Sequence, residues 1–152
     1  MIERNDTMDN QFNSVWASKI MRNEVISKTI SEWVDAAKNK ETAALAALLH
    51  HDVEFSPPFL DETVRGPKNT LQTLGLFSRT TKNFKYIRSW VSEDEAVLEF
   101  KAEIGTAVLH GLDLLEFDDK GQIVRFDVMA RPHTAISLLR NAYLNSDLTM
   151  KF

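Results

Sequence analysis

No cysteine occurs among the 152 residues, which excludes a disulfide frame, a thiolate nucleophile and a cysteine-held zinc or iron–sulfur centre. Such a composition suits a reducing compartment, and a cytoplasmic location is expected. No apolar run approaches the roughly 18 residues that a membrane helix needs. The opening Met1-Ile2-Glu3-Arg4-Asn5-Asp6 is polar where a signal peptide would be apolar, so neither export nor membrane insertion is expected. Positive charge is not in excess either: 18 Lys and Arg stand against 22 Asp and Glu, a net charge of -4. Without a basic stripe there is little to attract a phosphate backbone, and nucleic acid is not an expected partner. Glycine and proline number only five and four, and no repeat, low-complexity tract or interdomain linker is visible.

What remains is ordinary globular material, 43% hydrophobic and 26% charged. A chain of this length fits one domain that buries roughly two thirds of its unfolded surface. Residues 1 to 23 read as a polar N-terminal tail carrying a short helix, marked by Phe12, Val15, Trp16 and Ile20. A domain spanning 24–145 follows, and residues 146–152 form a C-terminal tail. Ile26, Ile30, Trp33, Val34 and Ala37 make one helical stripe from about 24 to 38. Leu45, Leu48 and Leu49 continue it as a second helix over 41–49. Val53 to Ser56 alternate with period two until Pro57-Pro58 stops the strand. Gly66-Pro67 opens a third helix over 67–81. The period then returns to two in Tyr86–Val91, Ala96–Ile104, Ala107–Phe117 and Gln122–Arg131, an antiparallel meander of four strands with tight turns. Ile136, Leu139 and Tyr143 mark a last helix.

Leu98, Phe100, Ala102 and Ile104 share one face of their strand against Glu99, Lys101 and Glu103. In the next strand Leu109, Gly111, Asp113, Leu115 and Phe117 are assigned inward, and Leu112 and Leu114 outward. Val124, Phe126, Val128 and Ala130 are assigned inward opposite Arg125, Asp127, Met129 and Arg131. The result is an α+β fold in which a strongly bent, mainly antiparallel sheet wraps around helices and encloses a central apolar pocket.

The element order resembles the nuclear transport factor 2-like superfamily, in its polyketide-cyclase-like (SnoaL-like) branch. So do His51-Asp52-Val53-Glu54-Phe55-Ser56-Pro57, Gly66, Gly111-Leu112-Asp113-Leu114-Leu115, Gly121-Gln122-Ile123-Val124 and Val128-Met129-Ala130-Arg131-Pro132. The similarity spans Ile26 to Leu144 and is nearest to bacterial members without an assigned activity. It implies a cone-shaped fold with a mixed edge, a central pocket and a homodimer formed through the outer sheet face. Ketosteroid isomerase, a catalytic relative, uses a carboxylate base together with a tyrosine and a protonated aspartic acid that bind the oxyanion. On that pattern Asp113 matches the protonated acid, while Trp33 stands at the tyrosine and Ser56 at the base. An indole offers only a donor and a serine is no base unaided. Against the Asp-Arg-Asp set of limonene-epoxide hydrolases, Asp113 matches again, and Gly111 and Val128 replace the rest.

Asp113 is therefore the candidate catalytic residue. An isolated carboxyl on an apolar inward face has a raised pKa, with simple satisfaction by the Trp33 N–H or a backbone group as the alternative. Trp33, Phe55, Ser56, Leu74, Phe77, Phe100, Leu115, Phe126 and Val128 are expected to line the pocket. Ser56 could equally bond its own turn, and Trp33 could equally be core. His50-His51-Asp52 reads as a solvated helix end, because adjacent side chains diverge, and no metal is expected. No phosphate loop or nucleophile motif is present, so no cofactor is expected. His110 and Arg131 face away from the pocket. Three functions remain open: binding of a small, largely apolar metabolite; an isomerase, cyclase or hydratase with Asp113 as acid or base; and an interaction module using Leu112, Leu114 and Met129.

Overall fold

Neither glycine nor proline interrupts residues 6 to 39, and one unbroken helix, α1 (Asp6–Asn39), fills that stretch of the computed structural model, which describes residues 6–150. The sequence suggested a tail, a short helix and a second helix beginning near 24. The tail's residues 1 to 5 lie outside the described residues; from Asp6 onward the chain is already helical. What changes along α1 is burial. Val15, Trp16 and Ile20 are exposed, whereas Ile26, Ile30 and Trp33 are buried. The change falls where Arg22 reaches the sheet, donating to Asp94 Oδ1 at 2.7 Å and to the Phe117 carbonyl at 3.2 Å. Thr29 then donates to the Gly121 carbonyl at 2.7 Å. Gly121 suits that site because its φ is +80° and a Cβ there would meet Val25 Cγ1 at 2.5 Å.

α1 ends in a paired turn: the Lys40 amide bonds the Ala37 carbonyl and the Glu41 amide bonds the Ala36 carbonyl, the hydrogen-bond pattern of a Schellman cap. That cap needs a left-handed residue, and Lys40 supplies it at φ +56° where glycine is favoured. Lys40→Gly is expected to raise the unfolding free energy by about 0.5–1 kcal/mol, the relief of left-handed strain less the added entropy of the unfolded chain. Urea denaturation checks this; a loss of stability would show that the lysine side chain holds the turn.

The remaining elements are α2 (Thr42–Leu48), β1 (Leu49–Ser56), β2 (Val64–Arg65), α3 (Pro67–Thr80), β3 (Lys82–Ser92), β4 (Glu95–Ile104), β5 (Ala107–Phe117), β6 (Ile123–Arg131), α4 (His133–Leu144) and a 3-10 turn at Asp147–Met150. β5 has the span expected from alternation. β3 begins four residues earlier than its alternation suggested, and β2, only two residues long, is too short for any period to register. The sheet runs β2-β1-β6-β5-β4-β3. β3 to β6 form the antiparallel meander, and β1 lies parallel to β6, which makes the edge mixed. This is an α+β, cone-like fold whose sheet stays open between β2 and β3.

Extra residues bend it. Register shifts lie between Lys82 and Lys85 and between Tyr86 and Arg88 in β3, and each such bulge sharpens the local twist. A third, where β6 passes Glu116 and Phe117, sets Ile123 opposite Phe117 and Arg125 opposite Glu116. Ile123 is thereby fully buried and Val124 only half-buried; strict alternation had assigned Val124 inward. On the concave side two apolar clusters form, one around Ile26, Trp33, Val53 and Phe126 and one around Phe59, Phe100, Leu109 and Leu139.

Candidate functional site

Between α1, α3 and the concave sheet face lies a cavity of about 730 Å³. Each wall follows from a local pattern. Trp33 comes from the buried stripe of α1. Leu74 and Phe77 are one helical step apart on α3. Phe100, Asp113, Phe126 and Val128 are the inward members of β4, β5 and β6. Trp33, Phe55, Leu74, Phe77, Phe100, Asp113, Phe126 and Val128 all line it. Two residues assigned to the wall do not. Ser56 follows inward-facing Phe55 and so points to the other face, where its hydroxyl lies 3.2 Å from that of Thr63. Leu115 faces inward but is 1% exposed within the solid core beyond the cavity.

At the polar spot of this wall stands a residue that the sequence did not single out. The Tyr86 hydroxyl donates to Asp113 Oδ2 at 2.7 Å and accepts the Trp33 indole N–H at 3.0 Å. Trp33 therefore does not bond Asp113 directly; the phenol stands between them. Tyr86 reaches this position because it pairs across from Phe100 on β4 while Asp113 pairs with Leu98 of the same strand. Both project inward from strands that flank β4.

Asp113 is 4% exposed, and burial pushes its carboxyl up to about 7, the Tyr86 hydrogen bond pulling only partly the other way. Burial, then the neighbouring Asp113 charge, holds the Tyr86 hydroxyl well above its ordinary value, so it remains a neutral donor near pH 7. Oδ2 is engaged, whereas Oδ1 has no hydrogen bond within the described residues. A carboxyl that is half protonated near neutrality, with one oxygen facing a cavity, can either donate to or accept from a bound molecule. Asp113 is the one carboxylate among the described residues lining this cavity.

On the convex face, Glu99 is held between Arg88, whose Nε lies 2.6 Å away, and His110, whose Nε2 lies 2.9 Å away. The hydrogen bond from Arg88 and then that from His110 hold its carboxyl down to about 2. His110 and exposed Arg131 sit opposite one another on that outer face. Leu112 and Leu114 are half-buried there and Met129 is 64% exposed. His50, His51 and Asp52 lie on β1, not at a helix end; the Asp52 amide donates to His50 Nδ1, and His51 Nε2 lies 3.1 Å from Asp52 Oδ2. No helix among the described residues is long and apolar enough to cross a membrane.

A model of the SnoaL-like domain matches residues 30–126. The chain belongs to the SnoaL-like domain family. Its solved relatives in fold include a steroid Δ-isomerase from Pseudomonas aeruginosa, 31% identical, with a TM-score of 0.73 over 78% of this chain and 88% of that one. An uncharacterized protein conserved in bacteria, with a cystatin-like fold, from Silicibacter pomeroyi DSS-3 is 26% identical, with a TM-score of 0.74 over 82% of this chain and 91% of that one. An NTF2-like protein of unknown function from Cytophaga hutchinsonii ATCC 33406 shares the fold alone, at 14% identity and a TM-score of 0.59 over 72% of this chain and 92% of that one. No curated protein matches this SnoaL-like chain in sequence.

Proposed function

We propose that this SnoaL-like domain binds a small, largely apolar molecule carrying a carbonyl or hydroxyl oxygen, and that Asp113, held in place by the Tyr86 hydroxyl, recognises that oxygen. The observation that carries the reading is the hydrogen-bonded series Trp33, Tyr86, Asp113 set into an otherwise apolar wall, with Asp113 Oδ1 left open. A mostly apolar cavity with a few convergent polar groups is the usual form of a small-molecule site. The two ends divide the work: apolar area supplies affinity and the carboxyl supplies orientation.

The test compares a steroid enone with the hydrocarbon lacking its ketone. Wild type is expected to favour the ketone by about tenfold, the worth of one or two buried hydrogen bonds. Asp113→Leu should abolish that preference while keeping affinity for the hydrocarbon. Titration followed by tryptophan fluorescence or calorimetry reads both. Equal affinity of wild type for ketone and hydrocarbon would sink the reading.

A second reading, proton transfer, is favoured by one observation: an Asp113 pKa of about 7 makes both its forms available at neutral pH. It draws on the 31% identity with a protein called a steroid Δ-isomerase. In such a reaction the Asp113 carboxylate would take a proton from the carbon beside a ketone and return it further along the enolate. A β,γ-unsaturated steroid ketone should then be converted to the conjugated enone by wild type and not by Asp113→Asn. No enone formed by wild type would remove this reading.

A further inference from the structure

The cavity wall has a charge pattern that the apolar reading leaves unexplained. Among the described residues four Lys and Arg line it, Lys38, Lys40, Arg79 and Lys82, and of the Asp and Glu only Asp113 does. The chain as a whole is acidic, at -4, so this local excess runs against its composition. The four cations come from three segments: the end of α1 and the turn after it, the end of α3, and the start of β3. All four are exposed, so they border the cavity where it meets solvent, whereas Asp113 is buried. None has an ion-pair or hydrogen-bond partner from its side chain among the described residues.

A simpler account covers half of them. Lys38 and Arg79 lie in the last turns of their helices, where a cation offsets roughly half a negative charge at each helix end. Lys40 and Lys82 lie beyond the helices, and two helix ends amount to about one negative charge against four positive ones. A surplus remains. Arg79 is also turned toward the cavity: a Cβ on Gly75, itself a lining residue, would lie 3.2 Å from Arg79 Nη1. Position 40 also holds a lysine in a left-handed conformation that glycine would adopt without strain.

We infer that the ligand is an amphipathic organic anion, its apolar body in the cavity and its carboxylate, sulfonate or phosphate group among Lys38, Lys40, Arg79 and Lys82. This rests on the pocket reading above and adds the ligand's charge. The bound molecule would thus present an oxygen to Asp113 at one end and an anionic group to the cations at the other.

Two dyes with nearly the same aromatic body separate the claims: anilinonaphthalene sulfonate, an anion, and N-phenylnaphthylamine, which lacks the sulfonate. Wild type is expected to bind the sulfonate about tenfold more tightly at about 20 mM salt, and to lose most of that preference at about 500 mM. The fourfold variant Lys38→Gln, Lys40→Gln, Arg79→Gln, Lys82→Gln should equalise the two dyes without weakening the neutral one, since the exchanged side chains are exposed. Leu74→Trp, which fills the cavity, should abolish both signals, with circular dichroism confirming that it folds. Equal binding of the dyes by wild type overturns this inference and leaves the pocket reading standing. Binding of neither overturns both. A sulfonate preference that survives the fourfold variant or Leu74→Trp also overturns it, because the anion then sits elsewhere.

Discussion

Wild-type stability is expected to fall by about 2 to 3 kcal/mol between pH 5 and pH 8, and Asp113→Asn to abolish that fall. In the unfolded chain this carboxyl loses its proton near 3.8; in the folded chain burial delays the loss to about 7. Between those values the folded state binds more protons than the unfolded one, so stability decreases as pH rises. The contribution is complete below about pH 4, is spent above about pH 7, and amounts in all to about 4 kcal/mol for a shift of three pH units. Asparagine keeps a carbonyl oxygen for the Tyr86 hydroxyl and has no charge to bury, which isolates the titration from the packing. Glu99 does not disturb the comparison. Its carboxyl, lowered from 4.5 to about 2, is ionised in both states throughout this window, and its own stabilisation is lost only as pH falls below about 4.5. Urea unfolding of both proteins at four pH values decides the matter. Parallel slopes would mean that Asp113 is not the titrating group. If proton transfer is the function, the same pKa should appear as a limb of the rate profile near pH 7.

Asp113 was legible in the sequence because its position depends only on alternation along β5, and nothing shifts the register between Leu109 and Leu115. Phe100, Phe126 and Val128 were legible for the same reason. Tyr86 belongs to a strand with a bulge on either side of it, and its hydroxyl meets Asp113 only through the pairing of both strands with β4. No property of residues 82 to 92 taken alone encodes that meeting. Ser56 illustrates the reverse: a motif match suggested a pocket residue, but period two, already visible in Val53 and Phe55, turns it outward. The length of α1 is not legible in the stripe that begins at Ile26, because the stripe reports contact with the sheet. The absence of a breaker reports the helix itself. The four cations at the cavity are not legible in the sequence because they come from separate segments, the end of α1 and its turn, the end of α3 and the start of β3, which meet only at the border of the folded cavity.

Gly111→Ala is expected to cost about 1 to 3 kcal/mol of stability and to shrink the cavity, although it adds a single methyl group. Gly111 pairs with Phe100 across β4 and β5. A Cβ there would lie 2.4 Å from Phe100 Cζ and 2.7 Å from Cε1, with the Met129 carbonyl oxygen 2.9 Å away on the other side. The backbone of β6 is fixed by its ladder, so the phenyl ring is the part that yields. Phe77 and Phe84 pack against it with ring centroids at 6.1 and 5.3 Å, which leaves the cavity as the open direction. Alanine is otherwise the better strand residue by about 0.5 to 1 kcal/mol, so a net loss would measure the clash and not backbone preference. Unfolding in urea and affinity for N-phenylnaphthylamine should fall together. Adding Phe100→Leu, which removes the ring atoms that the methyl meets, should recover much of both. Unchanged stability and affinity in Gly111→Ala would show that the ring does not define this wall, and that the cavity yields more readily than its aromatic packing implies.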